Sequence, residues 1–139
     1  FFKSVAIRPG KPILFAKIRG KQKVIFGLPG NPISSAACFR FFVYPYLRSL
    51  LGLGEESSFK AILKKEFRKK KEFTRFVKSK LSTTSNGKLE VRILKGQESF
   101  RIKSFIQSNI WVMLPAGKNK FKKGETVDCF FPNQPNKIF

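Results

Sequence analysis

At 139 residues, 42% of them hydrophobic and 14% aromatic, the chain is long enough to bury a core and too apolar to be disordered. Its formal charge of +21 is scattered over the whole length beside abundant Phe, Ile and Asn, so composition bias accounts for it without a polyanion partner. There is no His, which removes imidazole-based triads and most zinc sites.

Cys38 and Cys129 are too few and too far apart for a metal motif or a disulfide framework, and each sits among apolar neighbours. They read as small buried thiols of a protein in a reducing, cytoplasmic compartment. The most apolar stretch, residues 36–53, contains Arg40, Pro45 and Arg48, so it is not a membrane span. The chain begins at Phe1 and its first strand signal comes almost at once, which leads us to expect a piece of a longer protein.

Val5-Ala6-Ile7-Arg8 reads as a strand that stops at Pro9-Gly10. Residues 13–18 and 24–26 are two further apolar runs, joined through Gly20. Gly27-Leu28-Pro29-Gly30-Asn31-Pro32 then ends a strand, turns and opens a helix. Asn31 supplies an N-cap oxygen, and Pro32 suits the first helical position, where its missing N–H is not needed. The helix is expected from residue 32 to about 51, with Gly52 and Gly54 ending it. Pro45 inside it should cost about 3 kcal/mol or produce a kink near Phe41. The helix is apolar nearly all round, through Phe39, Phe41, Phe42, Val43, Tyr44 and Leu47, and should be buried on more than one side, here or in a complete protein.

After Gly54 the pattern changes to short strands, which places a domain boundary near residues 52–58. Phe73 to Leu81 and the alternating Leu89, Val91 and Ile93 form a hairpin across Ser85-Asn86-Gly87. Residues 110–114 are apolar throughout and read as a central strand. Phe121-Lys122-Lys123-Gly124 is a turn, and Val127, Cys129 and Phe131 share one face of a last strand. Such a succession predicts a small β-barrel or sandwich.

Two turns are suited to an oxyanion. Pro9 and Pro12 stiffen Gly10-Lys11, and Arg8 lies three residues before Lys11, so a fork and a point charge stand together at strand ends. The second turn adds Gly27 and Gly30, free N–H groups at a helix start, and the hydroxyls of Ser34 and Ser35. The bland alternative is ordinary turns with solvated lysines for the first, and a proline-rich strand-to-helix connection for the second. Arg75, counted by twos from Phe73, falls on the face of Val77 and Leu81, where a charge needs a partner or an open pocket. The alternative turns Phe76 inward and leaves Arg75 exposed. Gly96-Gln97-Glu98-Ser99 by itself is only a turn, and the cluster Lys64 to Lys71 is either a solvated face or a polyanion site.

Ile7-Arg8-Pro9-Gly10-Lys11-Pro12, followed by a hairpin, Gly27-Leu28-Pro29-Gly30-Asn31-Pro32-Ile33-Ser34 and a helix containing Tyr44-Pro45, resembles the molybdopterin molybdenumtransferase family. Glu72-Phe73-Thr74-Arg75, Asn86-Gly87-Lys88-Leu89, Gly96-Gln97-Glu98-Ser99 and Lys123-Gly124-Glu125-Thr126-Val127 extend the likeness to the second half. The resemblance implies an α+β chain in which residues 1–54 are the C-terminal strands and helix of an α/β molybdopterin-binding domain. Residues 55–139 would be a small all-β barrel domain. It also implies insertion of molybdate into adenylylated molybdopterin, giving molybdenum cofactor and AMP, with magnesium held by residues upstream of this chain and no metal ligand within it.

By the same resemblance Lys11 and Arg8 are the catalytic cations, and Pro29, Gly30, Asn31, Pro32, Ser34, Arg75 and Ser99 bind molybdate or molybdopterin. Arg8 stands where many members have Lys. The complete protein is expected to be a homodimer in the cytoplasm, and this chain alone to be inactive. A different reading is a free-standing basic barrel that binds nucleic acid, with Phe67, Phe73 or Phe76 as stacking platforms.

Overall fold

The computed structural model describes residues 1–132; the remainder of the expected C-terminal domain, residues 133–139, lies outside the described residues. The first strand, β1 (Ile7–Arg8), ends at the proline-rich turn. Strands β2 (Leu14–Lys17) and β3 (Val24–Gly27) form the expected antiparallel hairpin. Gly27 closes it tightly, because a Cβ there would sit 3.0 Å from Leu14 Cβ.

Helix α1 (Pro32–Cys38) starts as the sequence predicts, with the Asn31 side chain accepting from the Ile33 N–H at 3.2 Å and Pro32 in the first turn. The backbone then widens into a π-turn over Phe39–Val43, where the Tyr44 N–H bonds to the Phe39 carbonyl, and resumes as α2 (Tyr44–Leu50). Pro45, which has no N–H to donate, falls directly after this wider turn. The interruption expected near Phe41 therefore takes the form of a π-turn. The expected burial on more than one side is not seen among the described residues: α1 buries one face, through Ile33, Ser34, Ala37 and Cys38, and α2 has no buried residue and leaves Leu50 exposed.

The second half forms strands β4 (Phe59–Leu63), β5 (Phe67–Arg68), β6 (Thr74–Thr83) and β7 (Leu89–Ile93), helix α3 (Ile102–Gln107), and strands β8 (Ile110–Leu114), β9 (Lys120–Phe121) and β10 (Thr126–Phe130). Pairings run β6–β7–β4–β10–β8 and back to β6, closing a five-stranded barrel and leaving β5 and β9 as a separate two-stranded ribbon. Closure removes the free edges that short strands would otherwise expose. All barrel pairs are antiparallel except β4 with β7. The long strand β6 makes closure possible, since residues 75–79 pair with β8 and residues 79–83 with β7. The site of β6 that β7 leaves open is taken by β1, which pairs in parallel as Ile7 with Thr74 and Arg8 with Arg75. The first strand of the chain is thus docked onto the barrel.

Two cores result. Leu63, Val77, Val91, Ile110, Val112, Leu114 and Val127 fill the barrel, together with Cys129. Ile7, Ile33, Ala37, Phe76 and Trp111 lie between barrel and helix. The alternation of β6 separates them: Val77 points into the barrel and Phe76 out of it, stacked on Phe41 with ring centroids 3.8 Å apart. Truncating Phe76 to Ala would cost about 3–5 kcal/mol. A buried bidentate ion pair, Arg40 with Glu56, ties the helix to the segment entering the barrel, and Arg40 Nε also donates to the Phe131 carbonyl at 2.7 Å. Phe131 itself lies beyond β10 and is exposed, so it does not share the buried face of Val127 and Cys129.

Candidate functional site

A cavity of about 410 Å3 opens where the proline-rich turn, the first turn of α1, the start of β6 and the segment after β7 meet. Arg8, Lys11, Ser34, Arg75, Ser99 and Glu98 are among its lining residues. Five of the nine residues singled out in the sequence are therefore brought to one place from four separate segments. Pro29, Gly30, Asn31 and Pro32 are not in that lining. They form the connection from β3 to α1, where Asn31 caps the helix and the Pro29 carbonyl accepts from the Ser35 hydroxyl. A Cβ on Gly30 would meet nothing within 4 Å.

Each cation is positioned by an identifiable device. Gly10 has φ +105°, and a Cβ there would stand 2.5 Å from Cys38 Sγ, so the turn carrying Lys11 packs directly on the helix. The Arg8–Pro9 peptide bond is cis. Arg8 lies 4.7 Å over the ring of Phe73, and Lys11 lies 5.9 Å from the same ring. Arg75 stands 5.7 Å over Phe67 and is half-buried, while Arg8 and Lys11 are exposed. Among the described residues these three cations show aromatic contacts and no hydrogen bond or ion pair.

Their electrostatics follow. Burial holds the Arg75 guanidinium below its ordinary pKa, the nearby Arg8 pushes the same way, and Glu98 opposes them. Three cations against one carboxylate leave the cavity net positive, with the hydroxyls of Ser34 and Ser99 at its wall. Such an arrangement suits a compact polyanion rather than a cation or an apolar ligand. A second cavity of about 470 Å3 adjoins it and shares Arg75, Gln97 and Glu98.

Sequence reasoning missed several features of this site. Phe73 reads as a strand residue, yet it carries two of the cations. Gln97 looks like part of a simple turn, yet its amide bonds the backbone of Lys78 and Leu94. Helix α3, which follows that turn, has only six residues and no capping signal to announce it. The Lys64 to Lys71 cluster is mostly solvated, with one exception: Lys69 is buried and donates to the Phe73 carbonyl at 2.7 Å. The stacking platforms of the nucleic-acid reading are not available. Phe76 is buried under Phe41, and Phe67 and Phe73 are half-buried beneath arginines.

Among the described residues no group of three or more His, Cys, Asp and Glu is placed to hold a metal ion. Nor is any helix among them long and apolar enough to cross a membrane.

Comparison with known proteins matches both halves of the chain. Residues 1–49 match the family model of a probable molybdopterin binding domain, and residues 60–130 that of the MoeA C-terminal region, domain IV. The chain is 38% identical over 130 residues to the molybdopterin molybdenumtransferase of Staphylococcus aureus (strain COL), covering 91% of this chain and 30% of that protein. It is 31% identical over 137 residues to that of Bacillus subtilis (strain 168), covering 97% of this chain and 31% of the relative. Among solved structures, the molybdopterin biosynthesis moeA protein of Pyrococcus horikoshii OT3 superimposes with a TM-score of 0.74 at 27% identity, over 94% of this chain and 31% of that one. The chain thus spans about 30% of the length of these curated relatives. From both its matched halves and the closed barrel that the second of them builds, it belongs to the MoeA family, the molybdopterin molybdenumtransferases.

Proposed function

We propose that this chain forms part of an enzyme of molybdenum cofactor biosynthesis and holds molybdate in the cavity lined by Arg8, Lys11 and Arg75. The reaction is insertion of molybdate into adenylylated molybdopterin, releasing AMP. The observation that carries this reading is the convergence of three cations, none of them ion-paired among the described residues, on one cavity with two hydroxyls. Molybdate is a tetrahedral dianion. Arg75 offers a planar fork already stripped of part of its water, Lys11 a point charge on a stiff turn, and Ser34 and Ser99 short hydroxyl donors.

Fixed charges of this kind neutralise the oxyanion and orient it beside a phosphate ester, with no imidazole needed. Arg8 and Lys11 reach the reacting groups, and the loop of Pro29, Gly30, Asn31 and Pro32 walls the molybdopterin side. Magnesium, which the family likeness implies, would be held by residues of the native protein upstream of this chain. The native protein is expected to be a cytoplasmic homodimer whose site combines both subunits.

The test is the insertion reaction in the full native protein. Lys11→Ala and Arg75→Ala should each lower the rate by on the order of 100-fold. Wild-type rates in both variants would refute the assignment.

A further inference from the structure

Lys78 is the one fully buried lysine among the described residues, at 1% exposure, and it lies on the outer face of β6 rather than in the barrel. Its ammonium has three N–H donors and meets three backbone carbonyls: Gly96 at 2.8 Å, Glu98 at 3.1 Å and Arg101 at 3.2 Å. Donors and acceptors are matched in number, so residues 96–101 wrap around one buried charge. Their side chains are turned elsewhere. Gln97 folds back so that its Oε1 accepts from the Lys78 N–H at 2.9 Å while its Nε2 donates to the Lys78 carbonyl at 2.7 Å. Ser99 and Phe100 line the cation-rich cavity, together with Gln97 and Glu98. The Ser104 hydroxyl fastens the same loop, donating to the Gly96 carbonyl at 2.5 Å.

We infer that Lys78 is a positioning residue for the oxyanion cavity: its ammonium fixes the loop 96–101, and with it Ser99, at a set distance from Arg75. The inference rests on the reading of that cavity as a molybdate site. The geometry makes the connection direct, because Arg75 and Lys78 are three residues apart on one strand. The wall bearing the hydroxyl and the wall bearing the guanidinium are thus built on one rigid element. Burial holds the Lys78 pKa below its ordinary value, with Arg75 pushing the same way and Glu98 opposing, so the carbonyl partners and that carboxylate are what support the buried charge. A loop carrying unpaired carbonyls around a neutral side chain would lose this registration.

The experiment uses the full native protein and two variants, Lys78→Met and the milder Ser104→Ala, which stays informative if the first does not fold. Amide exchange in residues 96–101 should accelerate by about tenfold or more, while β8 and β10 keep their protection. Molybdate affinity, measured by calorimetric titration with sodium molybdate, should fall by about 10–100-fold for Lys78→Met and less for Ser104→Ala. Unchanged loop exchange in both variants, uniform loss of protection across the barrel, or a loosened loop with unaltered molybdate affinity would each overturn the inference. A wild-type protein that does not bind molybdate would overturn the reading of the cavity instead, and the exchange data would still decide whether Lys78 holds the loop.

Discussion

Arg8 and Arg75 are register partners across the parallel bridge between β1 and β6. Two like charges side by side repel, and here each is supported by an aromatic ring, Phe73 under one and Phe67 under the other. Desolvation of Arg75 adds to the strain. Without an anion, Arg75→Met should therefore stabilise the fold, by about 0.5–2 kcal/mol, while removing oxyanion binding. Denaturant titrations with and without molybdate would separate the two effects. A variant less stable than wild type in molybdate-free buffer would show that Arg75 contributes to folding rather than to a ligand.

Gly10 is fixed by two constraints at once, a φ of +105° and the proximity of Cys38 Sγ. Gly10→Ala should lose about 2–4 kcal/mol, read from the shift in denaturation midpoint. Cys38→Ala in the same chain should restore only part of that loss, since it relieves the clash and leaves the backbone strain. Full recovery would mean that the positive φ costs nothing here.

The Arg40–Glu56 pair is nearly buried, with side-chain exposures of 6% and 8%. Arg40→Met should destabilise by about 3–5 kcal/mol because Glu56 is left charged and unpaired. Replacing both partners by apolar residues should cost much less. Equal losses in the single and double variants, measured by chemical denaturation, would show that packing of the Arg40 stem matters more than its charge.

Asp128 accepts from Lys60 at 2.6 Å and from the Ser58 hydroxyl, and the lysine bond first, then the serine, lowers its pKa below the usual aspartate value. A depressed folded pKa gives stability that is complete above the unfolded value and disappears as pH falls through the folded one. The stability difference between wild type and Asp128→Asn should be constant from neutral pH down to about 5 and shrink below about 4. A difference that persists unchanged at pH 2 would rule out the charge as its source.

Cys38 and Cys129 are buried, and desolvation raises their pKa to about 11 and about 12. At pH 8 both thiols should resist alkylation in the native protein and react once it is unfolded. Mass spectrometry of the two peptides gives the answer. Rapid native labelling of Cys38 would mean that the Gly10 turn opens readily.

Much of this architecture is legible in the sequence because its signals are local. Asn31-Pro32 announces a helix start, Ser85-Asn86-Gly87 a hairpin, and the apolar run 110–114 a central strand, and each forms where expected. The site is legible only in part, for a physical reason. Arg8, Lys11, Ser34, Arg75 and Ser99 stand out through rigid turns, strand parity or family likeness, but nothing in their spacing says that β1 docks on β6. Lys78 was not visible at all. With Phe76 and Lys80 it lies on the outer face of an alternating strand, and a lysine there reads as solvated. Lys80 is in fact exposed and Lys78 buried, a difference made only by the loop folding over one of them. The platform role of Phe73 and the short helix α3 were hidden likewise, since both depend on tertiary neighbours.

On the proposed reading, molybdate sits among Arg8, Lys11 and Arg75. Anomalous diffraction from crystals of the full native protein soaked in molybdate locates the metal directly. A molybdenum peak is expected inside the cavity, in contact with Arg75 and Lys11 and absent in Lys11→Ala. A well-occupied peak elsewhere, or an unaltered peak in that variant, would contradict it.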